Sequence, residues 1–164
     1  MKRSITMIAD DGKGSYERVR VGARGILIRD GKVLLGHERS KDYWCFPGGG
    51  HEAGETLEET CRRELEEETG IVVRIKEEYI TIRSCFRERI FENHYFLCEY
   101  EGETVLHRTP EEAANDLTRE WVTFQEAMNI FSDLSKADSH PNWRGCYARD
   151  KYLAELLVSE GYGK

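Results

Sequence analysis

The chain has 164 residues, enough to bury one real core, and is expected to form a single domain over 1–164. A net charge of −7, with 39% hydrophobic and 34% charged residues, fits a polar globular protein and argues against non-specific binding to nucleic acid or anionic membranes. Five cysteines without a C-x-x-C pair speak against a disulfide framework or a zinc site. No apolar run approaches a signal peptide or a membrane span, so the expected location is the cytoplasm.

Residues 1–16 read as a loosely ordered lead-in, with a short strand over 4–9. From Val19 the pattern is β: two apolar runs flank Asp30-Gly31, the strongest short-range signal for a hairpin. Gly22 and Gly25 inside the first run point to a bulge, to close approach of another backbone, or simply to sheet twist. Trp44 and Phe46 fall on a short strand leading into Pro47 and three glycines. That composition is expected to resist regular structure and to let a ligand approach the backbone. Thr56 followed by Glu59 fits a capping box, and Gly70 has the place of a left-handed stop, so a helix spans the interval. Strands over 71–84 and about 90–100 follow, then an exposed loop over 107–118, a strand over 120–124 and a helix over 125–131. A second loop over 133–145 precedes an amphipathic helix over 147–161, whose core face is Tyr152, Leu153, Leu156 and Leu157. Helices separated by hairpin-like strands indicate an α+β fold, a mixed sheet between helices.

The helix after Thr56 carries the chemistry. Leu57, Cys61 and Leu65 form a narrow apolar stripe, and Glu64, Glu67 and Glu68 lie on one arc beside it. Carboxylates at i, i+3 and i+4 repel one another by a few tenths of a kcal/mol per pair. Either the face is simply solvated, as most charge runs are, or a cation offsets the repulsion; Mg²⁺ and Mn²⁺ prefer such oxygen ligands.

The whole stretch FPGGGHEAGETLEETCRRELEEETGI shifts the balance between these. It fits G-x5-E-x7-R-E-U-x-E-E-x-G-U, U being bulky and apolar, at Gly49, Glu55, Arg63, Glu64, Leu65, Glu67, Glu68, Gly70 and Ile71. In this it resembles the Nudix hydrolases. The resemblance implies the Nudix fold over roughly 19–131, and metal-dependent cleavage of the diphosphate linkage in a nucleoside diphosphate derivative. Such substrates include nucleoside triphosphates, ADP-ribose, nucleotide sugars and dinucleoside polyphosphates. It implies that Glu64, Glu67 and Glu68, with the Gly48 carbonyl, bind Mg²⁺ or Mn²⁺, and that these glutamates are catalytic with Glu64 as first choice of base. Gly49, Glu55, Arg63 and Gly70 would support the site, Arg63 by pairing with Glu55. Glu111 and Glu112 are later-loop alternatives for the base, with a solvated loop as the plain alternative. The alternative function is a non-catalytic nucleotide-binding or sensor domain.

Tyr43, Trp44, Tyr95, Trp143 and Tyr147 are candidates to stack on a base, each against ordinary packing, and Arg144 and Arg149 cluster beside Trp143. The expected partner is a small nucleotide, with neither nucleic acid nor membrane. A homodimer is the family analogy, with the early hairpin or the strand over 90–100 as its edge.

Overall fold

The computed structural model describes residues 2–8, 18–86, 89–106, 108–139 and 142–164. Eight strands and four α-helices follow in chain order among them: β1 (Ser4–Ile8), β2 (Arg18–Arg29), β3 (Lys32–Glu38), β4 (Tyr43–Cys45), β5 (Gly48–Gly50), α1 (Leu57–Thr69), β6 (Ile71–Phe86), β7 (Arg89–Glu103), α2 (Pro110–Ala114), β8 (Leu117–Thr123), α3 (Phe124–Ser132) and α4 (Trp143–Ser159). The sheet runs β1-β6-β7-β2-β3-β4, with β5 beside β2 and β8 beside β3. It is mixed: β1 is parallel to β6 and β2 to β7, and the other pairs are antiparallel.

Alternation along the strands sorts side chains into two cores, because successive residues point to opposite faces. Ile26, Val33, Leu35, Tyr95 and Leu97 face α3 and α4, together with Phe124, Phe131, Leu153 and Leu157. Leu27, Leu34, Phe96 and Cys98 face α1, together with Cys61 and Leu65. The sheet is thus buried on both sides, which is the α+β sandwich expected from the element order. Full burial of one side chain such as Leu65 contributes about 1.5–3 kcal/mol. Carboxylate repulsion costs only a few tenths per pair, so packing of the apolar stripe decides that α1 is helical.

Local signals act as the sequence indicates. Asp30 and Gly31 both have positive φ, 51° and 73°, closing a two-residue hairpin that pairs Arg29 with Lys32. Thr56 and Glu59 exchange both bonds of a capping box, and Gly70 ends α1 at φ 71°. At Gly22 and Gly25 the reason is close approach. A Cβ on Gly25 would lie 2.7 Å from the Leu65 methyls, and one on Gly22 would lie 2.9 Å from the Gly49 carbonyl oxygen. The β2–β7 register runs unbroken from Arg18↔Arg89 to Leu27↔Cys98, without a bulge.

Several expectations are corrected. The glycine stretch does form regular structure: Gly48–Gly50 pairs with Gly22–Arg24, and Gly22 has no side chain to meet the Gly49 carbonyl. Phe46 lies outside any strand. Residues 110–114 of the expected loop are helix α2, since proline suits the first helical turn and Glu and Ala propagate it. Helix α4 starts at Trp143, four residues before the expected start. Strand β7 lies between β6 and β2, and β2 and β3 are likewise interior, so among the described residues neither the hairpin nor β7 lies at an edge of the sheet.

Candidate functional site

The site forms where β5 is laid across β2 and α1 is pressed onto both. The Glu64 carboxylate rests on Gly49, where a Cβ would lie 2.5 Å from Glu64 Cδ. One turn on, Glu68 Oε2 accepts from the Gly48 N–H at 3.0 Å. The acidic helix therefore meets the glycine backbone at two consecutive residues, a contact that any side chain at 49 would block.

Arg63 ties this corner together. Its Nε and Nη2 donate to Glu55 at 3.0 and 2.8 Å, and Nη2 also donates to the Gly50 carbonyl at 3.1 Å. Its Nη1 donates to Glu64 Oε1 at 2.8 Å and Glu67 Oε2 at 3.2 Å. One guanidinium thus supplies part of the offset to the carboxylate repulsion that the sequence assigned to a metal ion. Thr60, fully buried, donates to Glu55 Oε1 at 2.7 Å. The Arg63 guanidinium, with that hydroxyl, holds the Glu55 carboxyl well down, from 4.5 to about 2. Glu64 is shifted the other way. Burial raises its pKa above the ordinary value, against the pull of Arg63, because a desolvated carboxylate prefers its neutral form.

Glu64 also lines an open cleft of about 530 Å³ with Val19, Arg20, Val21, Gly50, His51 and Glu52. Arg20 is an exposed cation at its wall, near Gly50, and no sequence motif had marked it. Glu64, Glu67, Glu68 and the Gly48 carbonyl would offer oxygens of the kind that Mg²⁺ and Mn²⁺ take. Among the described residues no three His, Cys, Asp or Glu side chains converge as a preassembled ligand cluster; Arg63 bonds Glu64 and Glu67, and the Gly48 N–H bonds Glu68.

A family model for the NUDIX domain matches residues 18–143, which is most of the chain. The chain belongs to the NUDIX family. The ADP-ribose pyrophosphatase of Methanocaldococcus jannaschii is 41% identical over 64 residues, covering 37% of this chain and 38% of that protein. The RNA pyrophosphohydrolase of Caulobacter vibrioides is 53% identical over 45 residues, 26% of each chain. The chain thus spans well under half the length of these curated NUDIX relatives. A NUDIX hydrolase from Nitrosomonas europaea shares the fold at a TM-score of 0.60, with 17% identity over 83% of this chain and 89% of that one.

The remaining predicted residues separate. Glu111 sits on α2, exposed, and among the described residues no ion pair or side-chain hydrogen bond joins it to the NUDIX helix; the Glu112 side chain lies outside the described residues. Tyr95, Trp143 and Tyr147 are buried, and Tyr95 donates its hydroxyl to Asp150 at 2.8 Å, so their first role is packing. Trp44 is half-buried and stacks on His37 at 3.8 Å. With Trp143, Tyr147, Asn129 and Asp133 it lines a smaller cavity of about 280 Å³. Arg149 is buried rather than presented to a phosphate.

Sequence reasoning missed Arg24, Arg119 and Asp150. Arg24 donates to the Phe46 carbonyl at 2.7 Å, and Arg119 donates to the last α1 carbonyl, Thr69, at 2.7 Å. Asp150 was visible in principle, because it lies in helical register with Tyr147, Leu153 and Leu157 on an otherwise apolar stripe. Among the described residues no helix is long and apolar enough to cross a membrane.

Proposed function

We propose that this chain is a metal-dependent hydrolase cleaving the diphosphate linkage of a nucleoside diphosphate derivative: a nucleoside triphosphate, ADP-ribose, a nucleotide sugar or a dinucleoside polyphosphate. The observation that carries this reading is the contact of Glu64 with Gly49 and of Glu68 with the Gly48 N–H, which sets the acidic helix directly on the glycine backbone. Glu64, Glu67 and Glu68, with the Gly48 carbonyl, would hold Mg²⁺ or Mn²⁺. When bound, the metal neutralises phosphate oxygens and acidifies a water.

The protein's own groups do the rest. Glu64 is the first choice of base; Arg63 engages its Oε1, which leaves Oε2 for the metal or the water. Arg63 and Glu55 keep helix and loop in register through the Gly50 carbonyl. Both curated relatives are named for a pyrophosphate bond, and their names differ in what carries it. The reaction class therefore has more support than any one substrate.

The test is a chromatographic screen for the cleavage products, a nucleoside monophosphate and its phosphorylated partner or pyrophosphate, with Mg²⁺ and with Mn²⁺ and with Glu68→Gln as control. It covers nucleoside triphosphates, ADP-ribose, nucleotide sugars, dinucleoside polyphosphates and a 5′-triphosphorylated RNA end. Turnover of one class that vanishes in the variant supports the hydrolase. Binding without turnover by the folded protein would overturn it in favour of a nucleotide-binding or sensor domain.

A further inference from the structure

The backbone between Phe46 and Gly48 is held by four groups, of which Arg24, Gly25 and Asp150 lie outside the NUDIX motif. Phe46 lies in no strand, yet its N–H donates to Asp150 Oδ2 at 3.1 Å and its carbonyl accepts from Arg24 Nη1 at 2.7 Å. The Pro47 carbonyl accepts from the Gly25 N–H at 2.9 Å, and the Gly48 N–H donates to Glu68. Asp150 is completely buried in α4, and its Oδ1 accepts from the Tyr95 hydroxyl and from Arg149 Nε, each at 2.8 Å. A buried carboxylate is retained where its charge is matched and each oxygen is bonded. Here three donors converge on one side chain, and one of them belongs to the loop that carries the site. Arg149 is buried with its Nη2 unbonded among the described residues, which leaves Asp150 as its one hydrogen-bonded counter-charge there. Residues 149 and 150 lie beyond the stretch that the family model matches, 18–143.

We propose that Asp150 is a positioning residue for the hydrolytic site: by holding the Phe46 amide it fixes the path of Pro47 and Gly48, and so the meeting of Gly48 with Glu68. The final helix thus completes a site whose chemistry resides in α1 and β5. The inference rests on the hydrolase reading for its kinetic consequence and on the hydrogen bond alone for its structural one.

Two measurements test it. In the wild-type, metal-free protein, hydrogen exchange followed by NMR should show the Phe46 amide exchanging as slowly as the core amides of α4, although it belongs to no strand ladder. Fast exchange at Phe46 beside a protected α4 would overturn the tie, whatever the protein hydrolyses, and this arm needs no variant to fold. The second arm compares Asp150→Asn, whose amide cannot match both loop and guanidinium, with Tyr95→Phe, which removes one bond to Asp150 and leaves the loop contact. Misplaced catalytic groups cost roughly 10- to 100-fold. Asp150→Asn should lower kcat by about tenfold or more with KM within about twofold, and speed Phe46 exchange relative to α4. Tyr95→Phe should lower Tm with kcat nearly unchanged. If both variants lower kcat only in proportion to their loss of folded protein, Asp150 is an ordinary structural ion pair. If the wild type hydrolyses nothing while Phe46 exchanges with α4, the hydrolase reading fails and the tie stands.

Discussion

Two arginine networks hold the glycine loop, and they differ in everything but their chemistry. Arg63 is part-exposed among four carboxylates, Glu52, Glu55, Glu64 and Glu67, the farthest at 3.9 Å. Arg149 is 2% exposed and is paired with Asp150, which is wholly buried. Around Arg63 water can re-solvate whatever a substitution leaves behind, and the excess of carboxylates favours binding of a cation. Arg149 is shut off from bulk solvent, so the pair must stay matched. On the proposed reading the first network serves the chemistry and the second its alignment; each is exposed to a different kind of damage.

Substitutions should separate the two. The largest effect belongs to the first network: Glu64→Gln should cut metal-dependent turnover by about 10²- to 10⁴-fold, the usual range for a general base. Its stability should hold or rise, because a carboxyl whose pKa is raised by folding opposes folding once it ionises; thermal melts at neutral pH check this. The largest loss of stability belongs to the second network. Asp150→Ala strands a buried guanidinium and should cost about 3–5 kcal/mol, read from urea denaturation. Arg63→Met should cost less, about 1–2 kcal/mol, since its carboxylates regain water, and it should also impair turnover by freeing Glu64 and the loop. Equal stability losses at Arg63 and Asp150 would break the contrast.

The smallest effect is a pH dependence. Folding lowers the Glu55 pKa from 4.5 to about 2. The stability that this contributes is fully present above pH 4.5 and is lost as the pH falls towards 2. Glu55→Gln should therefore flatten the acid limb of stability in that window and leave the neutral limb's shape unchanged. An unaltered acid limb would mean that Arg63 holds Glu55 no more tightly than solvent does.

The hairpin at Asp30-Gly31, the capped helix from Thr56 to Gly70 and the acidic arc of Glu64, Glu67 and Glu68 were legible because each rests on neighbours within four residues along the chain. The strand at Gly48–Gly50 was not, since three glycines have no strand propensity of their own and pair only because Gly22 leaves room for their backbone. Helix α2 was hidden behind a proline that reads equally as a loop or as a first helical turn. Tyr95 and Arg149 looked available to a ligand because aromatic and cationic side chains are ambiguous until their burial is known.

By itself the sequence determined the family motif, the acidic arc on α1 and the order of most elements, because these depend on short-range spacing and residue type. The tertiary structure decided that β7 is interior, that Arg63 shares its guanidinium among the box carboxylates, and that Asp150 reaches Phe46 across 104 residues. A buried hydrogen bond between distant residues leaves no periodicity to read. It exists only once both faces of the sheet are covered and water is gone.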